Sequence, residues 1–132
     1  MLRRVRFLAP ALVLAVLAGC GEEGPTPEQQ VRTTVSDFGR ATAAKDYKTI
    51  CDRLLAPKLI DDVTSIGLPC VSALQRGLGH VKDPHLTIGN VKVDGDEASA
   101  EIRTSASGQE PSQDTLRLVK VNGTWKISSL GS

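Results

Sequence analysis

Hydrophobic positions recur with two different periods along this chain, and the change from one to the other divides it. Val31, Val35 and Phe38, then Ala41 or Thr42, fall at spacings of four and three, which predicts one apolar stripe on a helix of about 18 residues. Thr26 is placed to cap it, Pro27 suits the first helical position, and Gln29 completes a capping box. Arg32, Ser36, Asp37 and Arg40 are expected on the wet face. Asp46 starts a second, shorter helix through Leu55, with Ile50, Cys51, Leu54 and Leu55 inward. Pro57 opens a third piece, Lys58 to Ser65, which ends at Gly67. A fourth, from Pro69 to about Leu78, carries Cys70, Val71 and Leu74 before Gly77 and Gly79 break it.

After His80 the period becomes two. His85 to Val93, Glu97 to Ser105, Gln113 to Val121 and Thr124 to Leu130 read as four strands. They are separated by Asp94-Gly95-Asp96, by Ser107 to Pro111, and by Asn122-Gly123, whose two residues suit the positive φ of a tight hairpin turn. Links this short make consecutive strands antiparallel neighbours. Ala98, Ala100 and Ile102 share a face, whereas Leu86 and Ile88 are out of phase with Val91 and Val93, so a bulge or bend is expected near Gly89-Asn90.

Helices followed by an antiparallel meander make an α+β fold, with N-terminal helices packed on a curved four-stranded antiparallel sheet. The order of elements, the Gly-Asp and Asn-Gly turns and the closing Trp125-Lys126-Ile127 resemble NTF2-like domains over roughly Glu28 to Leu130. This is the cone-shaped fold of limonene-epoxide hydrolase, ketosteroid isomerase and many secreted actinobacterial lipoproteins. The resemblance implies a cone whose lining here would draw on Phe38, Tyr47, Ile102, Leu118 and Trp125. It also leaves two kinds of activity open. Enzymes of this fold (isomerases, dehydratases, hydrolases) place a carboxylate general base in the cone, and Asp37 and Asp46 lie in or beside the helical layer. Asp37, however, sits next to the apolar stripe, and Asp46 has a sufficient role as a helix cap. No Gly-x-Ser-x-Gly elbow, Ser-x-x-Lys pair, His-Glu-x-x-His helix or phosphate-binding loop is present, and no cofactor is implied. The motif content therefore favours a non-catalytic module that binds a small apolar ligand or docks on another envelope protein, with a homodimer through the sheet as a further option. Arg103, Ser105, Arg117 and Lys120 on the strands point to a partly wet sheet face, which favours polar contacts.

The segment before the domain changes where this module would work. Arg3, Arg4 and Arg6 precede an uncharged run from Phe7 to Ala18, the pattern of an export signal and far short of the roughly 20 apolar residues that cross a bilayer. Leu17-Ala18-Gly19-Cys20 resembles the lipobox of bacterial lipoproteins. That likeness implies cleavage before Cys20 and a diacylglyceryl thioether with further fatty acylation such as palmitate, a firm anchor because it carries more than one acyl chain. The expected organisation is a lipoprotein signal peptide over residues 1–19, a tether over 20–26 and one domain over 27–132, held on the extracytoplasmic face of the cell membrane. Losing the three leader arginines turns a formal charge of +1 into 13 basic against 15 acidic side chains, which gives no electrostatic ground for a nucleic-acid partner.

With Cys20 given to lipid, Cys51 and Cys70 remain as a pair. An exported protein with an even remainder favours a disulfide, against two buried thiols or a metal site. Zinc would need two more ligands, and His80 and His85 lack compact spacing with either cysteine, so no metal is expected. Asp94-Gly95-Asp96-Glu97 lacks the remaining positions of a calcium loop and reads as a turn. Asn122-Gly123-Thr124 matches a glycosylation sequon, for which the hairpin is explanation enough. Replacement Cys20→Ser is expected to abolish metabolic lipid labelling and leave unprocessed precursor on a gel; normal maturation of that variant would remove the anchor from the picture.

Overall fold

The computed structural model describes Gly19 and residues 24–131; the leader over residues 1–18 and Cys20 lie outside the described residues. Among the described residues, four helical pieces precede a four-stranded antiparallel sheet: α1 (Pro27–Ala43), α2 (Tyr47–Thr49) running into a π-turn (Ile50–Leu54), α3 (Pro57–Thr64) and α4 (Cys70–Leu78). The strands β1 (His85–Asp94), β2 (Glu97–Ser105), β3 (Ser112–Val121) and β4 (Thr124–Ser129) pair in chain order. No described helix is long and apolar enough to cross a membrane.

Local chemistry accounts for the ends of α1. Thr26 Oγ1 accepts from the Gln29 N–H at 3.2 Å while Gln29 Oε1 accepts from the Thr26 N–H at 2.9 Å, the reciprocal capping box. At the other end Lys45 takes φ 56°. Its N–H donates to Thr42 O at 3.1 Å, and the Asp46 N–H donates to Ala41 O at 2.8 Å. This is a Schellman stop with lysine where glycine is usual. The Lys45 ammonium also donates to Gly79 O at 2.9 Å, which ties the end of α1 to the end of α4.

The second helix departs from a regular α-helix. After one α-turn it widens, so that the Leu55 N–H donates to Ile50 O at 3.1 Å, five residues back. The wider turn keeps Ile50, Cys51, Leu54 and Leu55 all buried and releases the chain in extended form. Leu55 then forms a parallel bridge with Ile127, and the Ala56 N–H donates to Ile127 O at 2.7 Å. Lys126 Nζ donates to Arg53 O beside it. The β4 edge is thereby blocked at Ile127 by the chain's own backbone, which interrupts an open pairing edge.

In the sheet, alternation sorts the two faces. Leu86, Ile88, Val91 and Val93 pair across β2 with Thr104, Ile102, Ala100 and Ala98, and across β3 these meet Ser112, Asp114, Leu116 and Leu118. The register slips between Ile88 and Val91, the bulge that the phase change over Gly89-Asn90 predicts. A second irregularity at Arg117/Leu118 leaves Ser128 unmatched on β4, and no phase change in the sequence marks it. Asn122 and Gly123 sit at φ 50° and 78°, as the two-residue hairpin requires. The outer face carries Arg103, Ser105 and Arg117 in solvent, whereas Lys120 turns inward and lies over the Trp125 ring at 5.3 Å from its centroid.

Val31, Val35, Ile50, Ala100, Leu116, Leu118 and Ile127 form the dry centre between helices and sheet, each at most 1 % exposed. Two positions differ from the helical-wheel reading. Arg32 is half-buried, its guanidinium donating to Glu28 and to Gly89 O at 3.0 Å, because the bulge brings β1 backbone up to α1. Val71 is 40 % exposed, since α4 faces the core chiefly through Leu74.

Cys51 and Cys70 are joined in a disulfide across 19 residues, with their Cα atoms 6.1 Å apart. It connects the π-turn to the first residue of α4, so the helix that lies outermost is stapled to the segment docked on β4. Closing a loop of this size stabilises by about 3 kcal/mol through restriction of the unfolded chain. The double variant Cys51→Ser, Cys70→Ser is expected to lose about that much in urea unfolding, and unchanged stability would show the bridge to be dispensable.

Candidate functional site

Where the helical layer meets the open end of the sheet, a cleft of about 250 Å³ penetrates between them. Phe38, Gly39 and Thr42 from the last turns of α1 form one wall. Leu86 on β1 and Thr104 and Ser105 at the end of β2 form another, and Leu78, Val81, Pro84 and His85 close the side. The loop between β2 and β3 contributes Ala106, Gln109 and Glu110, with Ser112 following. The close approach of α1 to β1 is made by Gly39, where a Cβ would stand 3.2 Å from the Leu86 Cβ.

The cleft has an apolar body and a polar rim. Phe38, Leu78, Val81, Pro84 and Leu86 supply the first, and His85, Thr104, Gln109, Glu110 and Ser112 the second. Thr42 does not offer its hydroxyl outward, since Oγ1 donates to Phe38 O at 2.8 Å. On the rim Thr104 Oγ1 and Ser112 Oγ share a hydrogen bond at 2.8 Å, and Ser112 Oγ donates to Asp114 Oδ2 at 3.2 Å. Asp114 pairs across the sheet with buried Ile102, so it belongs to the inward row. A broader hollow of about 460 Å³ lies over the other face, along Thr87, Glu101, Arg103, Gln113 and Thr115. It is open and polar, and offers a ligand little desolvated surface.

Of the five aromatic and aliphatic residues singled out as cone lining, the structure places Phe38 in this cleft, half-buried. Tyr47, Ile102, Leu118 and Trp125 lie in the core, at 6, 6, 1 and 3 % exposure. The Tyr47 hydroxyl and the Trp125 indole N–H are buried without a partner among the described residues. The lining that periodicity did not single out comes from chain entering and leaving the sheet: Leu78, Val81, Pro84 and Leu86. Leu86 carried a signal, its place on the apolar row of β1; Val81 and Pro84 sit in irregular backbone, where no period exists to find them.

The two carboxylates weighed as bases stand elsewhere. Asp37 pairs with Arg40 on the outer side of α1. Asp46 is the cap of α2, accepting from Thr49 Oγ1 at 2.7 Å and from the Thr49 N–H at 3.1 Å. Asp114 is the carboxylate that alternation with Leu116 and Leu118 could have marked, one residue in from the cleft rim. His80 is exposed in the loop after α4, and Asp94 and Asp96 form the turn between β1 and β2. No cluster of three potential metal-ligating side chains occurs among the described residues.

Comparison with known proteins supports the same architecture. No protein-family model and no curated protein matches the chain. Among solved structures, it is similar to an NTF2-like protein of unknown function from Shewanella baltica at TM-score 0.57 and 18 % identity, over 80 % of this chain and 94 % of that one. An NTF2-like protein of unknown function from Silicibacter pomeroyi follows at TM-score 0.55 and 18 % identity, over 76 % and 88 %. A de novo designed NTF2 fold protein gives TM-score 0.55 and 18 % identity, over 80 % and 87 %. The chain therefore has the NTF2-like fold, an α+β cone with a cleft at its open end.

Hydrogen bonds from the Thr49 hydroxyl and then from its backbone N–H hold the Asp46 carboxyl below its usual value of 3.8. A depressed folded-state value contributes stability above the unfolded value, and that contribution is lost as pH falls through the folded one. The stability difference between the wild type and Asp46→Ala is thus expected to be full at neutral pH and to shrink below about pH 4, as read from urea titrations across that range. A difference independent of pH would show that the carboxylate's charge has no part in the cap.

Proposed function

We propose that this chain is a lipid-anchored extracytoplasmic protein whose NTF2-like domain binds a small, largely apolar molecule in the cleft between α1 and the sheet. The observation that carries the binding reading is the lining: five apolar side chains form the body, and hydrogen-bonding groups gather on one rim. Such a site takes an apolar body by desolvation and orients it through a few polar contacts. The anchor rests on the basic leader, the uncharged run and the Leu17-Ala18-Gly19-Cys20 motif. The disulfide agrees with an oxidising compartment. A volume near 250 Å³ suits a fragment-sized ligand, below the about 300 Å³ at which drug-sized pockets begin.

Catalysis is the second reading, and Asp114 is the residue that favours it. It is a half-buried carboxylate on the inward row, linked through Ser112 to Thr104 on the cleft rim. Docking of a second copy or of an envelope protein on the outer sheet face would use the polar row of Glu101, Arg103 and Arg117.

Gentle extraction from the native membrane followed by native mass spectrometry is expected to show a retained small molecule. An apolar reporter dye should bind the purified domain and be displaced by that molecule. Ala106→Trp, which fills the cleft from the β2–β3 loop, is expected to weaken dye binding about tenfold or more, which corresponds to about 1.4 kcal/mol, with little change in thermal stability. Dye affinity unaffected by Ala106→Trp would place binding outside the cleft, and turnover by the wild type lost in Asp114→Asn would establish the enzyme instead.

A further inference from the structure

We infer that the cleft opens at the end of the domain opposite the lipid anchor, so that its occupant is a water-borne small molecule and not a lipid drawn from the anchoring bilayer. This rests on the anchored reading above. The helix α1 runs antiparallel to β1: Gly39 packs on Leu86 near the start of the strand, while Arg32 reaches Gly89 O further along it. The N-terminus of α1 therefore lies toward the Asp94 end of β1. Both tight turns gather at that end, since the Lys120 N–H donates to Asp96 O at 2.8 Å. The cleft lies at the other end, among Gly39, Thr42, Ser105 and Ser112. The cleft residues of α1, Phe38 to Thr42, stand 11 to 15 residues beyond Pro27, so at about 1.5 Å per residue the helix puts roughly 17 to 22 Å between them.

The chain entering α1 is pinned. The capping box holds Thr26, and Gln30 Nε2 donates to Pro25 O at 3.2 Å. Between Cys20 and Pro25 the tether can span at most about 18 Å, at roughly 3.5 Å per residue. The lipid attachment and the open end of the cleft therefore lie at opposite ends of α1. A cleft presented to the aqueous side, and too small for a two-chain lipid, selects solutes that arrive by diffusion.

The test uses the full lipidated chain in vesicles of phosphatidylcholine and phosphatidylglycerol that contain a headgroup-nitroxide quencher. A fluorophore is placed by thiol coupling at Asp96→Cys on the tethered end or at Ser107→Cys beside the cleft. Glu97→Cys and Gln109→Cys serve as alternates should either variant fold poorly. The expected result is loss of most fluorescence at position 96 or 97 and none at 107 or 109. Comparable quenching at both ends, or stronger quenching beside the cleft, would overturn the orientation while leaving the anchor standing. Intact mass spectrometry on the same samples separates the two ideas, because Cys20 found without lipid sinks the orientation and the anchored reading together.

Discussion

The fold depends on seating α1 in the hollow of the sheet. Val31 and Val35 are completely buried there, facing strands whose central inward positions are Ala98 and Ala100. Small residues at the middle of the sheet let a helix approach closely, while Leu116, Leu118 and Ile127 fill the space around it. Each fully buried aliphatic side chain of this kind contributes on the order of 1.5–3 kcal/mol. This packing is what opposes the chain entropy of a small domain. The bulge at Gly89-Asn90 belongs to the same arrangement, because it bends β1 toward α1 and offers Gly89 O to Arg32.

Everything outside that contact is attached in sequence. The Schellman stop at Lys45 turns the chain, the Asp46 cap restarts it, and the π-turn delivers Leu55 and Ala56 to the edge of β4. The disulfide then holds α4 on the outside of this segment. The four helical ion pairs among the described residues, each at i,i+3 or i,i+4 and largely exposed, contribute little beside these terms.

The cleft follows from the same geometry. At the core end of α1, valines and alanines meet the sheet without a gap. At its C-terminal end Gly39 allows contact with Leu86, but Phe38 and Thr42 meet strand ends that carry Thr104 and Ser112 in place of large apolar groups. The sheet outruns the helix there, and the polar inward residues of its last pairs leave a space that the β2–β3 loop only partly closes. Binding capacity thus arises where the apolar rows run out. The positioning of Asp114 beside this boundary is a product of the same alternation.

Much of this was legible in the order of residues, because it is decided by short-range chemistry. Thr26, Pro27 and Gln29 mark the start of α1 through a capping box that needs only neighbours, and Asn122-Gly123 specifies its hairpin through backbone conformation alone. The strand limits and the bulge follow from a period of two and its interruption, and the pairing of Cys51 with Cys70 from parity. The π-turn, the parallel bridge to Ile127, the half-burial of Arg32 and the placement of Trp125 in the core were decided by tertiary structure. Each depends on which surface a residue meets across a long separation in sequence. The cleft belongs to this second kind, since Val81 and Pro84 carry no periodic mark and become a wall only when α1, β1 and the β2–β3 loop converge on them.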